Sequence, residues 1–326
     1  MLQLLITDIT GTTDIASMVG NITWSGDYKS AARSLEFSFP DNPVDETVPF
    51  VALVVGSAVC LQIDGETLFE GFIVRRDKRT DNIDVSIRCF DRGMFLKGND
   101  SSYQFSGKTP EEATAQLCAD FGITTGDLAK TDHRLSRNFI GKKLYDIVMD
   151  LYTLASESSG DKFYARFVAD KFCVFKKERA AETIIIQGGS NLMDASVSES
   201  TEKIVNRVAI IDKAGKEIRA TEDSESIAMF GLFQQAIADG DNADKSAKTA
   251  LENSGVDQKI TVNILGDLRC TTGQMVCVQE VYTGLWGEFY IDGDSHTWKR
   301  GQHYTKLTLN FKNLMDEKEV AQKEEK

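Results

Sequence analysis

The feature that most constrains this chain is a strict alternation of apolar and polar residues in short runs, each closed by turn residues. Leu35, Phe37 and Phe39 alternate with Glu36 and Ser38, and Val59, Leu61 and Ile63 repeat the pattern. A period of two puts one set of side chains on a single face of a half-buried strand. Asp64-Gly65 then reverses the chain into a further apolar run at 67–74, because glycine takes the positive φ of a tight hairpin at no steric cost. Thr80-Asp81-Asn82 makes a second reversal, into Ile83, Val85 and Ile87. Strands joined by such turns predict an antiparallel barrel or sandwich over residues 2 to about 90.

The pattern changes near Gly98. Thr109-Pro110-Glu111-Glu112 reads as a helix start: a hydroxyl cap, proline at the first helical position, then acids beside the positive dipole end. Ala113, Leu117 and Phe121 form its apolar stripe, and Gly122 stops it. A second helix is expected over 142–156, with Leu144, Ile147, Val148, Leu151 and Leu154 on one face. Strands at 163–168 and 172–175, turned at Ala169-Asp170-Lys171, complete a small α+β insert. Strand patterns return at 183–186, 195–200, 205–211 and 217–220, and a helical segment follows at 224–254, broken at Asp239-Gly240-Asp241. The last strands lie near 259–264, 275–282, 287–298 and 304–311. The expected fold class is mainly β with an α+β insert. It divides as an N-terminal β-barrel at 1–97, the insert at 98–180, a second β-barrel at 181–315 carrying the helical insertion, and a C-terminal tail at 316–326, frayed or disordered.

Charge and cysteine usage narrow the function classes. A net charge of −13 argues against a protein that wraps nucleic acid by neutralising phosphates. It suits a conduit past which DNA slides without sticking. Met1 to Thr10 has neither the basic region nor the apolar core of a secretion signal. The longest apolar run, 50–58, is far below the ~20 residues a membrane span needs. Three of the four prolines, Pro40, Pro43 and Pro49, cluster in one loop. The six cysteines (Cys60, Cys89, Cys118, Cys173, Cys270, Cys277) form no CxxC pair and read as reduced, buried thiols.

No catalytic constellation stands out. The chain has no HExxH, GxSxG, GxxxxGK[ST] or GxGxxG motif. Of three histidines, His133 sits in a polar loop, while His296 and His303 flank a hairpin whose turn near Lys299–Gly301 would bring their imidazoles together across the strands. A structural or interface pair is the expected role. Asp292-Gly293-Asp294 resembles the start of a calcium loop, but twelve positions into that loop stands His303, not a glutamate. A bulge fits it better. Gly188-Gly189-Ser190 is a turn, and Arg75-Arg76-Asp77-Lys78-Arg79 is a basic patch at a hairpin tip, either solvated or facing an acidic neighbouring subunit. Neither a cofactor nor a metal is expected.

Several segments together carry a resemblance. Ile22-Thr23-Trp24-Ser25-Gly26-Asp27-Tyr28, followed by Ala31-Ala32-Arg33-Ser34-Leu35-Glu36-Phe37, resembles the N-terminal signature of the XkdQ/YqbQ-like phage tail proteins. Leu68-Phe69-Glu70-Gly71-Phe72-Ile73-Val74 is similar to that family's barrel hairpin, Gly107-Lys108-Thr109-Pro110-Glu111-Glu112 to its helical insert, and Lys203-Ile204-Val205-Asn206-Arg207-Val208 to the start of its second barrel. The most specific stretch is Thr283-Gly284-Leu285-Trp286-Gly287 with Phe289-Tyr290-Ile291-Asp292-Gly293-Asp294-Ser295-His296-Thr297-Trp298.

The resemblance implies a non-enzymatic, homotrimeric baseplate hub of a contractile tail or tail-like particle. Each chain would carry two tube-like barrels, and three chains would join a six-fold tail tube to a three-fold spike. Implied partners are copies of itself, the tail tube protein, the spike protein and other baseplate proteins, with DNA passing the lumen in an infectious phage. The implied location is the baseplate of a virion or tail-like particle assembled in the bacterial host cytoplasm. Signature or interface positions are Trp24, Gly26, Arg33, Asn206, Arg207, Trp286, Asp294, His296 and Trp298. The tryptophans are read as core residues before interface anchors. The alternative readings are a tail-associated peptidoglycan hydrolase and a cell-wall-binding module.

Overall fold

The alternating segments fold as strands. The computed structural model describes residues 1–8, 11–41, 51–178, 183–240 and 242–318; Pro43 and Pro49 lie outside them. Strands β1 (Leu2–Asp8), β2 (Gly11–Asp14), β3 (Asn21–Asp27), β4 (Ser34–Pro40), β5 (Ala58–Ile63), β6 (Glu66–Arg79) and β7 (Asn82–Asp91) pair antiparallel in the order β2-β1-β5-β6-β7-β4-β3. Leu35, Phe37 and Phe39 point into a core shared with Leu4, Ile22, Leu61, Ile73 and Val85. Asp64 (φ 53) and Gly65 (φ 86) both take the left-handed conformation. That is what a two-residue hairpin needs if its twist is to match the strands.

A short helix α1 (Gly93–Gly98) leads into the α+β block: β8 (Asp100–Lys108), α2 (Pro110–Asp120), β9 (Thr125–Leu128), β10 (Leu135–Lys143), α3 (Leu144–Ser159), β11 (Phe163–Val168) and β12 (Lys171–Lys176). Thr109 closes a capping box with Glu112, each side chain taking the other residue's backbone N–H. Helix α3 is enclosed, with Ile147, Leu151 and Tyr152 packed among Phe105, Leu117, Phe139, Phe163 and Phe172. Phe121 departs from the expected stripe and is 38% exposed. It is the C-cap residue, with φ −105 and ψ 12, so it has already left the helical face. The start of the polar tail is ordered against this block: Met315 joins its core and the Lys318 N–H donates to Thr153 Oγ1 at 3.3 Å. Residues 319–326 lie outside the described residues.

The chain divides into two compact units, Met1–Ala195 with Val262–Lys326, and Ser196–Thr261. It passes from the first through β13 (Ile184–Gln187) and β14 (Leu192–Ser200). The second contains β15 (Arg207–Ile211), β16 (Glu217–Glu222), α4 (Ser224–Phe230), β17 (Gln234–Ala238) and α5 (Ala243–Asn253). Its sheet runs β16-β15-β17, with Val208, Ile210, Ala243 and Ala247 as its core. The stretch expected to be a broken helix at 224–254 therefore contains a strand. Residues 234–238 pair in parallel with β15, from Arg207↔Gln234 to Ile211↔Ala238, and that ladder overrides their weak local preference. Of the expected break, Asp241 lies outside the described residues.

The chain returns through β18 (Asp257–Leu265), then β19 (Met275–Glu280), β20 (Leu285–Lys299) and β21 (Gln302–Asn310). These extend the first sheet in the order β14-β18-β21-β20-β3, with β13 and β19 branching from β20. Strand β13 pairs with β19 in parallel, from Ile184↔Val276 to Gln187↔Gln279. The decisive element is β20. Its first half pairs with β19, and its second half pairs antiparallel with β3, from Gly293↔Asp27 to Lys299↔Asn21. The two β-rich stretches of the sequence are thereby hydrogen-bonded into one 13-stranded sheet.

Candidate functional site

The β3–β20 seam gathers six of the nine signature positions. Its register sets Asp294 opposite Gly26, His296 opposite Trp24 and Trp298 opposite Ile22. Residues two apart share a face, so Asp294, His296 and Trp298 form one row beside Trp24. Arg33, just before β4, reaches across β3 to that row. Its Nη1 donates to Asp294 Oδ1 at 3.1 Å while Nη2 pairs with Oδ2, a bidentate ion pair. The guanidinium carbon lies 3.8 Å above the Trp24 ring centroid, adding a cation–π contact. Gly26 leaves the passage open: a Cβ there would stand 2.2 Å from Arg33 Nη1.

The pair is dry, with side-chain exposures of 5% for Arg33 and 0% for Asp294. A carboxylate survives such burial only if its oxygens are supplied with donors. Besides Arg33, Asp294 Oδ1 accepts from the Thr272 N–H at 2.7 Å and the Thr272 hydroxyl at 2.6 Å. His296 Nε2 stands 3.4 Å from Oδ2. Burial alone raises the Asp294 pKa, but Arg33 and His296 outweigh it and hold the carboxyl well below the usual carboxylate range. Arg33 is also anchored by its backbone. Its N–H donates to Asp91 Oδ2 at 3.0 Å, and the Gly93 N–H donates to Asp91 Oδ1 at 2.8 Å. Burial raises the Asp91 pKa to about 7, because these neutral backbone donors offset only part of the desolvation.

The two hairpin histidines meet as their spacing predicts. His296 Nδ1 and His303 Nε2 are 3.1 Å apart, and the Thr305 hydroxyl lies 3.1 Å from the same Nδ1. His303 stacks on Trp298 with centroids 4.6 Å apart. Its pKa falls to about 4, through burial and then through its charged-form repulsion with His296. Among the described residues no three His, Cys, Asp or Glu side chains are placed to hold a metal.

Asp292-Gly293-Asp294 is a bulge, since the β20–β21 register shifts between Ile291 and Gly293. The bulge sends Asp292 towards a second buried cation: Asp292 Oδ1 lies 3.9 Å from Lys177 Nζ, and Oδ2 accepts from Asn310 Nδ2 at 3.1 Å. Lys177 Nζ also donates to the Leu314 carbonyl at 2.5 Å. Burial lowers the Lys177 pKa and raises that of Asp292. Bulge and latch together tie the last strands of the sheet to elements nearer the N-terminus.

Three signature residues lie elsewhere. Asn206 and Arg207 belong to the second unit. Buried Asn206 acts as a local clamp, its Oδ1 accepting from the Phe233 N–H at 2.8 Å and its Nδ2 donating to the Gly231 carbonyl at 2.7 Å. Arg207 pairs with Glu217 at 2.6 Å. Trp286, the second residue of β20, is 66% exposed. Sequence reasoning missed Asp91, Thr272 and Lys177. Each is a lone polar residue whose importance comes from a partner far along the chain, so no local pattern marks it.

This arrangement joins residues from distant parts of the sequence. The Asp294 carboxylate is bonded to Arg33 and Thr272, whereas Trp24 Nε1 and Arg33 Nε are buried without a hydrogen-bond partner among the described residues. No helix among the described residues is long and apolar enough to cross a membrane.

The model of the YQBQ-like family matches residues 22–310. Phage-like element PBSX protein XkdQ of Bacillus subtilis (strain 168) is 22% identical over 308 residues, covering 91% of this chain and 94% of that protein. The 43 kDa tail protein of prophage MuSo2 from Shewanella oneidensis superposes with a TM-score of 0.71 at 13% identity, over 94% of this chain and 97% of that one. A tail protein from Neisseria meningitidis MC58 superposes with a TM-score of 0.64 at 17% identity, over 94% and 96%. At such identities the superpositions establish a shared fold. The family match spans the seam, both sheet halves and the α+β block, and by it the chain belongs to the YQBQ-like family.

Proposed function

We propose that this protein is a non-enzymatic structural component of a phage tail or tail-like particle, and within it the baseplate hub. Three copies would form a ring that receives the six-fold tail tube on one side and the three-fold spike on the other. The two β-rich stretches, residues 2–90 and 183–311, would supply the tube-like barrels of that ring, with the α+β block outside it. Partners are then other copies of the chain, the tube protein, the spike protein and neighbouring baseplate proteins. In an infectious phage DNA would pass the lumen. Assembly would take place in the host cytoplasm, before the particle is released.

The observation that carries this reading is agreement with the fold of a prophage tail protein along 94% of the chain. Fold alone does not fix function, but the seam adds a physical reason. A ring that joins two symmetries would bear load across its sheets, and the dry bidentate pair from Arg33, just before β4, to Asp294 on β20 would resist shear of one half-sheet against the other. Closed cyclic packing would also cover sheet edges that otherwise invite uncontrolled strand addition.

Co-expression of the tagged chain with the tube and spike proteins of its own particle tests the reading. Capture of both proteins, in a complex containing three copies of this chain, is expected. A complex with one copy, or no capture of either protein, contradicts it.

A further inference from the structure

The second unit carries an apolar loop that its own fold leaves in water. Between α4 and β17, Met229, Phe230, Leu232 and Phe233 are all exposed, from 36% at Phe230 to 76% at Met229. The core of that unit, Val208, Ile210, Ala243 and Ala247, uses none of them. Four large apolar side chains side by side in water exceed the scattered exposure normal for a surface.

The loop is firmly built. Buried Asn206 holds it from beneath, through the Phe233 N–H and the Gly231 carbonyl. The backbone N–H groups of Asn206 and Arg207 both donate to the Phe233 carbonyl, at 2.9 and 3.1 Å. Gly231 has φ 87 and ψ 175, a region that only glycine enters without strain. A buried polar clamp and a glycine-only backbone thus fix a shape whose outcome is to display apolar groups. Folding of the unit alone does not require that, and such departures mark surfaces built for a partner.

The charge around the loop selects that partner. From 220 to 244 the sequence has six acids and no lysine or arginine. Asp239 and Asp244 are taken by Arg219, at 2.9 and 2.7 Å. Exposed Glu222, Asp223 and Glu225 lie at the loop's own end of the unit's sheet, because Glu222 and Gln234 both stand opposite Arg207 in the ladders. Arg207 is shared between Glu217 and Glu222 at 2.6 and 3.4 Å; one cation against four acids leaves this group at −3. Phosphates of nucleic acid or of anionic lipid would be repelled by it. A two-fold contact between copies would lay the acidic turn against itself, and a head-to-tail one would set it on a chain of net charge −13.

We infer that loop 229–233 seats in an apolar groove, bordered by lysine or arginine side chains, on a different protein of the particle. The four apolar side chains supply the buried contact, and Glu222, Asp223 and Glu225 supply its charged rim. This rests on the reading of the chain as a tail component and names the surface by which it takes one neighbour.

Particles assembled with Phe233→p-benzoylphenylalanine, a photo-crosslinking analogue of the residue it replaces, test the inference, with the same analogue at exposed Lys213 as background. Irradiation should join position 233, and not 213, to one other particle protein. Mass spectrometry should place the joined peptide in an apolar segment flanked by lysine or arginine. That protein, once purified, should bind the Leu232→Ser and Glu225→Lys variants about tenfold or more weakly than the wild type, with circular dichroism confirming their fold. Its affinity for the wild type should fall as salt rises. Crosslinks to a second copy, to DNA or to lipid overturn the inference, as do equal yields at the two positions or undiminished binding of both variants. Particles that hold the chain at the tube–spike junction but give no crosslink at 233 refute the loop surface and leave the hub reading intact. Particles that lack the chain refute both.

Discussion

Arg33 and Asp294, 261 positions apart in the chain, face each other as a bidentate ion pair in a dry interior, with the guanidinium lying over Trp24 and above the bare backbone of Gly26. One contact thus ties the start of the sequence to its end. It ties them at the seam where two half-sheets become one.

Breaking half of that pair should cost far more than removing all of it. Arg33→Met leaves Asp294 buried with only Thr272 and His296 beside it, and about 3–5 kcal/mol of stability should be lost. The double variant Arg33→Met/Asp294→Leu removes both charges and should recover more than about 1 kcal/mol of that, as a double-mutant cycle by urea unfolding measures. Additive single effects, each below that size, would show that the pair is not coupled.

Gly26 should be sensitive although its backbone is unstrained. A methyl group there would lie 2.2 Å from Arg33 Nη1 and 2.7 Å from Cζ, so the guanidinium must leave its place over Trp24. Gly26→Ala should cost about 1–3 kcal/mol. Gly98, where an added Cβ meets nothing within 4 Å, should tolerate alanine, and chemical denaturation of the two variants compares them.

Much of the fold was legible because its signals are local. The Asp64-Gly65 hairpin, the Thr109 capping box and the meeting of His296 with His303 all rest on residues within about ten positions of one another. The candidate site was legible as a set of signature residues but not as a place. Nothing near Arg33 says that it will reach Asp294, since the β3–β20 register is settled by packing between strands some 270 residues apart. Residues 234–238 were unreadable for a related reason. They are strand because β15 lies alongside, and that neighbour cannot be inferred from Gln234 or Ala236.

The histidine pair should make stability pH-dependent in a definite direction. His303 has a pKa of about 4 when folded, against an ordinary value of 6.5. The unfolded chain therefore binds the proton first as pH falls. The contribution of His303 is complete above about 6.5, is lost between there and about 4, and changes no further below. Allowing for its partial exposure, it is worth about 1 kcal/mol. Denaturation midpoints should fall less over that range for His303→Gln than for the wild type. Equal falls would remove His303 as their source.

A structural role also predicts silence in a wall-degrading assay. The purified chain should leave the turbidity of a cell-wall suspension unchanged over hours, and insoluble wall should not carry it down on centrifugation. Robust clearing would establish a hydrolase, and co-sedimentation would establish a wall-binding module.

The most direct test of the central proposal is a cryo-electron microscopy reconstruction of the assembled particle. The account predicts three copies of this chain in a ring at the junction of tube and spike, with the Arg33–Asp294 seam enclosed within each copy. Density for the chain at any other position, or present there in a number other than three, would contradict it.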